Sequence, residues 1–159
     1  MELVCKPEAK HLEITRVISG GQTGADRAAL DAAIACGVPH GGWCPNGRLA
    51  EDGVVPEKYA LREMETESYS ERTKANVEAA DLTLIFSHGP LTGGSLLTQQ
   101  FAEELGKPCV HIDLKTNAQP LSSLFLGLGE TVLNVAGPRA SGDPGIYDAV
   151  YEQMLQFLS

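Results

Sequence analysis

Three times in this chain a short apolar run breaks into a glycine-rich loop that leads to a helical pattern, and this recurrence constrains the fold more than any other feature. Leu12 to Ser19 is apolar and β-branched and ends at Gly20-Gly21. Leu82 to Phe86 (LTLIF) is followed by Gly89-Pro90-Leu91-Thr92-Gly93-Gly94, and Thr131 to Ala136 runs into Gly137-Pro138-Arg139. Runs of this length and composition read as buried strands. Helices are predicted from the capping-box spacing Thr23-Gly24-Ala25-Asp26 to Gly37, over Ser95 to Leu105, and over Ile146 to Leu158. The first carries Leu30, Ala33 and Ile34 as its apolar stripe, the second Leu97, Phe101 and Leu105 at i, i+4, i+8. A further helix is predicted over Ser70 to Ala80, a strand over Cys109 to Ile112, and a short helical or irregular piece over Leu121 to Leu128. Strands that are apolar throughout and alternate with helices belong to a parallel sheet covered on both faces. The predicted fold is therefore α/β and doubly wound. It forms one domain over residues 1–159, with residues 1–11 as an N-terminal extension.

Charge and composition narrow the partners. With 12 basic against 21 acidic residues the net charge is −9, so the surface as a whole repels nucleic acid and anionic membranes, and any anionic ligand must be held locally. The 43% hydrophobic and 21% charged content excludes disordered, collagen-like and coiled-coil chains. No apolar run approaches the roughly 20 residues of a membrane span, and the first residues lack the order of a signal peptide. Cys5, Cys36, Cys44 and Cys109 show no metal-like spacing. A cytoplasmic protein with reduced thiols and no metal site is expected.

In a doubly wound sheet, ligands bind outside the carboxyl ends of the strands, where the three glycine-rich loops should lie. Free amides at a helix N-terminus attract anions, and glycine permits close approach. Ser19-Gly20-Gly21-Gln22-Thr23-Gly24 thus reads as an anion cradle, although it matches neither a Walker A nor a G-x-G-x-x-G pattern. Arg27, Arg48, Arg72 and Arg139 are candidate anion ligands, or else ordinary surface arginines. Arg27 has the stronger case, because a cation in the first turn of a helix opposes the dipole. Asp26 reads as the reciprocal acid of the Thr23 capping box.

The stretch Val38 to Tyr59 is dense in Gly and Pro and lacks periodicity, a length of loop that is usually functional or disordered. Within it Trp43 fits either stacking on a flat heterocycle or anchoring the loop. Glu51-Asp52 fits contacts to a ligand hydroxyl, a ring N–H or a metal, and Cys44 is a soft-metal ligand or an inert neighbour. His40, His88 and His111 have no metal-site spacing, and no nucleophile elbow appears.

Ile18-Ser19-Gly20-Gly21-Gln22-Thr23-Gly24-Ala25-Asp26-Arg27, Gly41-Gly42-Trp43-Cys44-Pro45, Arg48 with Glu51-Asp52-Gly53, Arg72-Thr73 with Asn76, Gly93-Gly94 with Leu97-Thr98, and Gly137-Pro138-Arg139 together resemble the molybdenum carrier family. The resemblance runs from about Ile14 onward and implies a Rossmann-like fold, similar to that of the lysine-decarboxylase-like nucleotide phosphoribohydrolases. It also implies a phosphorylated heterocycle, molybdenum cofactor (molybdopterin) or nucleotide, held at the sheet edge. The ligand residues it implies are Gly20, Gly21, Gln22, Thr23, Gly24, Arg27, Trp43, Arg48, Glu51, Asp52, Arg72, Asn76, Gly93, Gly94, Ser95, Thr98 and Arg139. Molybdoenzymes and further copies of the chain are the protein partners to expect. The phosphoribohydrolase motif Pro-Gly-Gly-x-Gly-Thr-x-x-Glu, set on Gly93-Gly94, places Gln100 where its Glu belongs, and an amide cannot exchange a proton near neutral pH. A carrier is therefore expected ahead of a nucleotide N-glycosidic hydrolase or a nucleotide-sensing module.

Overall fold

A computed structural model of the chain describes residues 13–116 and 129–159. The expected N-terminal extension, Cys5, and the piece predicted over Leu121 to Leu128 lie outside the described residues. In chain order the elements are β1 (Glu13–Ile18), α1 (Ala25–Ala35), the short strands β2 (His40–Gly41), β3 (Trp43–Cys44), β4 (Leu49–Ala50), β5 (Gly53–Val54) and β6 (Arg62–Glu63), then α2 (Tyr69–Ala79), β7 (Leu82–Ser87), α3 (Gly93–Leu105), β8 (Cys109–Asp113), β9 (Glu130–Ala136) and α4 (Ile146–Leu158).

Five strands form a sheet in the order β2-β1-β9-β7-β8, with every neighbouring pair parallel. The doubly wound α/β prediction is met. The order also carries a peculiarity of connectivity. If the β9–α4 unit is counted first, the sheet reads 3-2-1-4-5, the order of open dinucleotide-binding sheets. The chain thus has a Rossmann-like sheet whose central strand is supplied after both flanking pairs.

The two faces of the sheet differ in chemistry. Leu82, Leu84 and Phe86 of β7, with Leu133 and Val135 of β9, pack with α1 and α4 in the main core. On α1 that contact is made by Ala25, Ala28, Ala29, Ala32 and Ala33, whose small side chains let the helix lie close to the sheet and to Ile146, Val150 and Met154 of α4. Alternate residues of the same strands point to the opposite face, as the period of two requires. There Asn134 donates to Thr83 Oγ1 at 3.3 Å, and a small void is lined by Thr73 and Asn76 of α2, Thr98 of α3 and Asn134. The α2–α3 side of the sheet is therefore polar close to its carboxyl edge.

Two predicted stripes need correction. Leu30 and Ala33 are buried, but Ile34 is 44% exposed. The α3 residues that go fully inside are Ser95, Thr98 and Ala102, while Leu97, Phe101 and Leu105 are half-buried. Small residues face the sheet because α3 packs close to it and to the polar void.

Residues 38–59, predicted to lack regular structure, contain β2 to β5, each two residues long and so too short to show a period. This segment is held in place by identifiable bonds. Leu30 packs with Val55 and Tyr59, and the Tyr59 hydroxyl donates to Asp31 at 2.7 Å. The Arg48 guanidinium donates to the carbonyls of Val55, Leu61, Pro56 and Tyr59. Among the described residues no helix is long and apolar enough to cross a membrane.

Candidate ligand-binding site

Because β1, β9 and β7 are neighbours and parallel, the loops that follow them meet at one edge of the sheet. Between these loops and the first turn of α2 lies a cleft of about 450 Å³, with Gln22, Asp26, Tyr69, Arg72, Ser95 and Arg139 among its lining residues. That volume falls in the range of small-molecule sites.

In the loop after β1, four amides, those of Gly21, Gln22, Thr23 and Ala25, are taken by protein acceptors. Gly21 N–H faces Ser19 Oγ at 3.4 Å, Gln22 N–H donates to Asp26 Oδ2 at 3.1 Å, and Thr23 N–H donates to Gln22 Oε1 at 3.1 Å. Ala25 N–H donates to the Pro138 carbonyl at 3.2 Å. The Asp26 carboxylate thus occupies the place the anion-cradle reading gave to a ligand. The glycines here admit protein atoms. A Cβ on Gly20 would stand 1.8 Å from the Arg72 guanidinium, one on Gly21 2.4 Å from Leu61, and one on Gly24 2.4 Å from the Pro138 carbonyl oxygen. The capping box is absent as well. Gly24 is the N-cap of α1 and makes no side-chain cap bond, while Thr23 Oγ1 donates to Glu51 and accepts from Ala140 N–H.

The features that would suit an anion lie instead at the start of α3. Its N-cap Thr92 makes no side-chain cap bond, its first turn has no acid, and added Cβ atoms on Gly93 or Gly94 would meet nothing within 4 Å. Thr92, Gly94 and Ser95 all line the cleft. An uncapped helix N-terminus facing a cleft attracts anions through its free amides and dipole. Arg139 supports this from the loop after β9. Its guanidinium lies 4.6 Å from the centroid of the Tyr69 ring and makes no ion pair among the described residues. Arg72, 5.7 Å from the same ring, faces Asp26 Oδ2 at 3.4 Å.

Two buried donors in this region have no partner among the described residues: Gln22 Nε2 and Arg72 Nε. Leaving such groups unmatched costs about 1–3 kcal/mol each, and in native proteins an orphan of this kind requires an explanation. Asp26 is the cleft's buried carboxyl, 4% exposed, and burial pushes its pKa up against the opposing pull of Arg72.

Several residues expected at the site serve the scaffold. Arg27 forks onto Asp52 and donates to the Gly21 carbonyl, so its place in the first turn of α1 is explained by a strut to the long loop. Those hydrogen bonds hold Asp52 below the usual carboxylate range. Glu51 is held low by hydrogen bonds from Ser141 and Thr23, and it ties together the loops after β1 and β9. Arg48 is spent on backbone carbonyls, as described above. Asn76 clips the Trp43 backbone, accepting from its N–H at 2.8 Å and donating to its carbonyl at 3.0 Å. Burial raises the pKa of Cys44, and its thiol lies against the Arg62 carbonyl. Gln100 is exposed on α3 and does not line the cleft, so an acid there would not reach a ligand in it. The cleft also takes Tyr69, Ser87, His88 and Asp143, with His88 Nδ1 2.5 Å from Asp143 Oδ2. Asp143 lies in the glycine-rich loop after β9, and Ser87 and His88 lead directly into the one after β7; Tyr69 had as its one signal a position next to the predicted start of α2.

Trp43 lies in a different groove with Glu63, Met64 and Ala75, on the side of α2 away from Tyr69 and Arg72. Its fluorescence, which is the whole tryptophan signal of the chain, is expected to stay within a few per cent when a ligand fills the cleft, and Trp43→Leu should leave ligand affinity within about twofold while lowering stability by about 2 kcal/mol or more. A large quench on titration would return Trp43 to the ligand.

The displaced central strand, which makes the sheet a rearranged 3-2-1-4-5 order, meets its counterpart in comparison with known families: the model described as "Circularly permutated YpsA SLOG family" matches residues 17–158. The chain belongs to this family. Within the solved structures it is similar to the crystal structure of "Putative molybdenum carrier protein" from Syntrophus aciditrophicus SB, with 52% identity, 96% of this chain and 98% of that chain covered, and a TM-score of 0.88. The Rossmann-like fold and the resemblance to the molybdenum carrier family, both read from motifs, are borne out by these two matches. Comparison with curated proteins gives no match. For a member of this permuted family, the loop after β9 is the one that follows the central strand, which is where Arg139 stands.

Proposed function

We propose that the chain is a carrier that holds a phosphorylated heterocycle in the cleft between α2, α3 and the loops after β1 and β9, with molybdenum cofactor as its cargo. The observation that carries this reading is the pair of buried, unmatched donors, Gln22 Nε2 and Arg72 Nε, beside a cleft that also offers Arg139 and the uncapped start of α3. Phosphate fits the arginine and helix-terminus end, because both supply positive potential in a chain whose net charge is −9. The residues fit the phosphate and ring portions of molybdopterin. Among the described residues no group of three or more His, Cys, Asp or Glu is gathered to hold a metal directly, so the cargo would be gripped by its organic part. Delivery to molybdoenzymes in the cytoplasm belongs to this reading.

The test is mass spectrometry of small molecules retained by gently purified protein, followed by calorimetric titration. Arg139→Ala should weaken binding by about 1.5–3 kcal/mol, the worth of a hydrogen bond to a charged group, while the thermal transition of the free protein moves little, since this guanidinium packs on the Tyr69 ring and makes no ion pair among the described residues. Unchanged affinity would remove the cleft from consideration. The hydrolase alternative retains one observation in its favour, the buried carboxyl of Asp26 inside the cleft. Release of free base from nucleoside monophosphates, abolished by Asp26→Asn, would establish it in place of the carrier.

A further inference from the structure

A buried carboxylate is out of place in a cleft built for an anion. Asp26 would repel a phosphate beside it, and taking its charge out of water is costly even with Arg72 at 3.4 Å. Its presence is accounted for if the part of the ligand that reaches it is a hydrogen-bond donor. One Asp26 oxygen, Oδ2, already accepts from Gln22 N–H and faces Arg72, whereas Oδ1 makes no hydrogen bond among the described residues. An ionised carboxylate has about four acceptor sites, so capacity remains.

Gln22 stands next to it, tied by that same bond, and lines the same cleft. Its Oε1 accepts from Thr23 N–H at 3.1 Å and from Glu51 N–H at 2.9 Å. These two bonds fix which way round the amide sits, so Nε2 is a donor, and it is the donor left unmatched. The floor of the cleft therefore holds a carboxylate acceptor and, buried just beneath its lining, an amide donor from one short stretch of chain.

We propose that this floor reads the 2-amino-4-oxopyrimidine edge shared by pterins and guanine, Asp26 accepting from the ring N–H and the exocyclic amine and Gln22 Nε2 donating to the oxo group. The inference rests on the reading above that a phosphorylated heterocycle occupies the cleft. Adenine fits this pair poorly. Its corresponding edge has an exocyclic amine but a bare ring nitrogen, whose lone pair would face the carboxylate, and it has no oxo group for Nε2. A site whose buried polar groups are matched by one base and stranded by another discriminates strongly.

The experiment is calorimetric titration of the full chain with GMP, IMP, AMP and neopterin monophosphate. GMP and the pterin should bind about 10- to 100-fold more tightly than AMP, the equivalent of one or two charge-assisted bonds, with IMP, which lacks the amine, in between. Asp26→Asn should bring GMP and the pterin down to the AMP level and leave AMP within about twofold. The GMP-to-AMP ratio of the unaltered protein decides the matter without any variant having to fold. If GMP and AMP bind equally, the edge reading is wrong and the carrier reading stands. If none of the four binds, both fall. A preference for the pterin over GMP, or the reverse, identifies which source of the shared edge the cleft takes.

Discussion

Replacing Gly24 with alanine is expected to cost about 2–6 kcal/mol of stability, a large share of what a domain of this size has to lose. Two effects combine. Gly24 has φ +82°, a conformation that costs a residue with a Cβ about 1–3 kcal/mol. The new methyl group would also stand 2.4 Å from the Pro138 carbonyl oxygen and 2.9 Å from Ala140 N, both backbone atoms, and overpacking of this kind adds about 1–3 kcal/mol. Gly94→Ala is the matched control. It meets no protein atom within 4 Å, and alanine is the better helix former by about 1 kcal/mol, so the fold should be unharmed or slightly more stable. Any loss of ligand affinity in Gly94→Ala then reports contact between the ligand and the start of α3. Urea denaturation of both variants, with calorimetry on the second, measures the contrast, and a stable Gly24→Ala protein would show that the two loops do not pack as described.

The second large effect concerns Arg72. Its side chain is 12% exposed and that of Asp26 6%, so the pair is shielded from solvent. Arg72→Leu removes the cation and leaves the carboxyl buried, for which about 3–5 kcal/mol is the usual cost. The sign of the pH dependence follows from Asp26. Burial raises its folded pKa above the unfolded value, so in the window between the two the folded state binds the extra proton, and stability falls as pH rises through it. Without Arg72 the folded pKa moves higher still. The deficit of Arg72→Leu relative to the parent should therefore be smaller at an acid pH, where the carboxyl takes up its proton, than at an alkaline one. Denaturation curves at the two pH values give the answer; a deficit that does not grow with pH would mean that Asp26 is charged and solvated without its partner.

How far the sequence carried depends on the range of the interactions involved. The runs LTLIF and Thr131 to Ala136 announced buried strands because burial on both faces leaves no polar alternation in most of them, and the end of α3 fell at Gly106 for reasons of local backbone geometry. Three glycine-rich loops at one sheet edge also followed from strands being parallel. What the glycines do was not legible. Gly20 is small so that Arg72, from a helix about 50 positions later, can cross it, and Gly24 so that the loop after β9 can lie against it. Arg27 and Glu51-Asp52 looked like ligand contacts because their true partners are each other's segments, brought together by the fold of residues 38–59. Trp43 lies outside the cleft for the same reason: two-residue strands carry it around α2, and nothing periodic in the sequence marks that turn. Arg72 and Arg139 were picked out for their charge, and they are the two candidate arginines that the fold brings to the cleft.

The position of β9 has a consequence for how a nascent chain acquires its shape. A ribosome delivers β1 with β2, and then β7 with β8, before the strand that joins them exists. Thr15 and the Thr131 carbonyl that it bonds are 116 residues apart along the chain, so this closure is about as non-local as the domain permits. Each half-sheet emerges with an unpaired inner edge, the kind of surface that recruits strands from other chains. Synthesis would yield two open half-sheets first and a cooperative domain only when β9 slides between them, which makes the last strand to be made the keystone of the sheet.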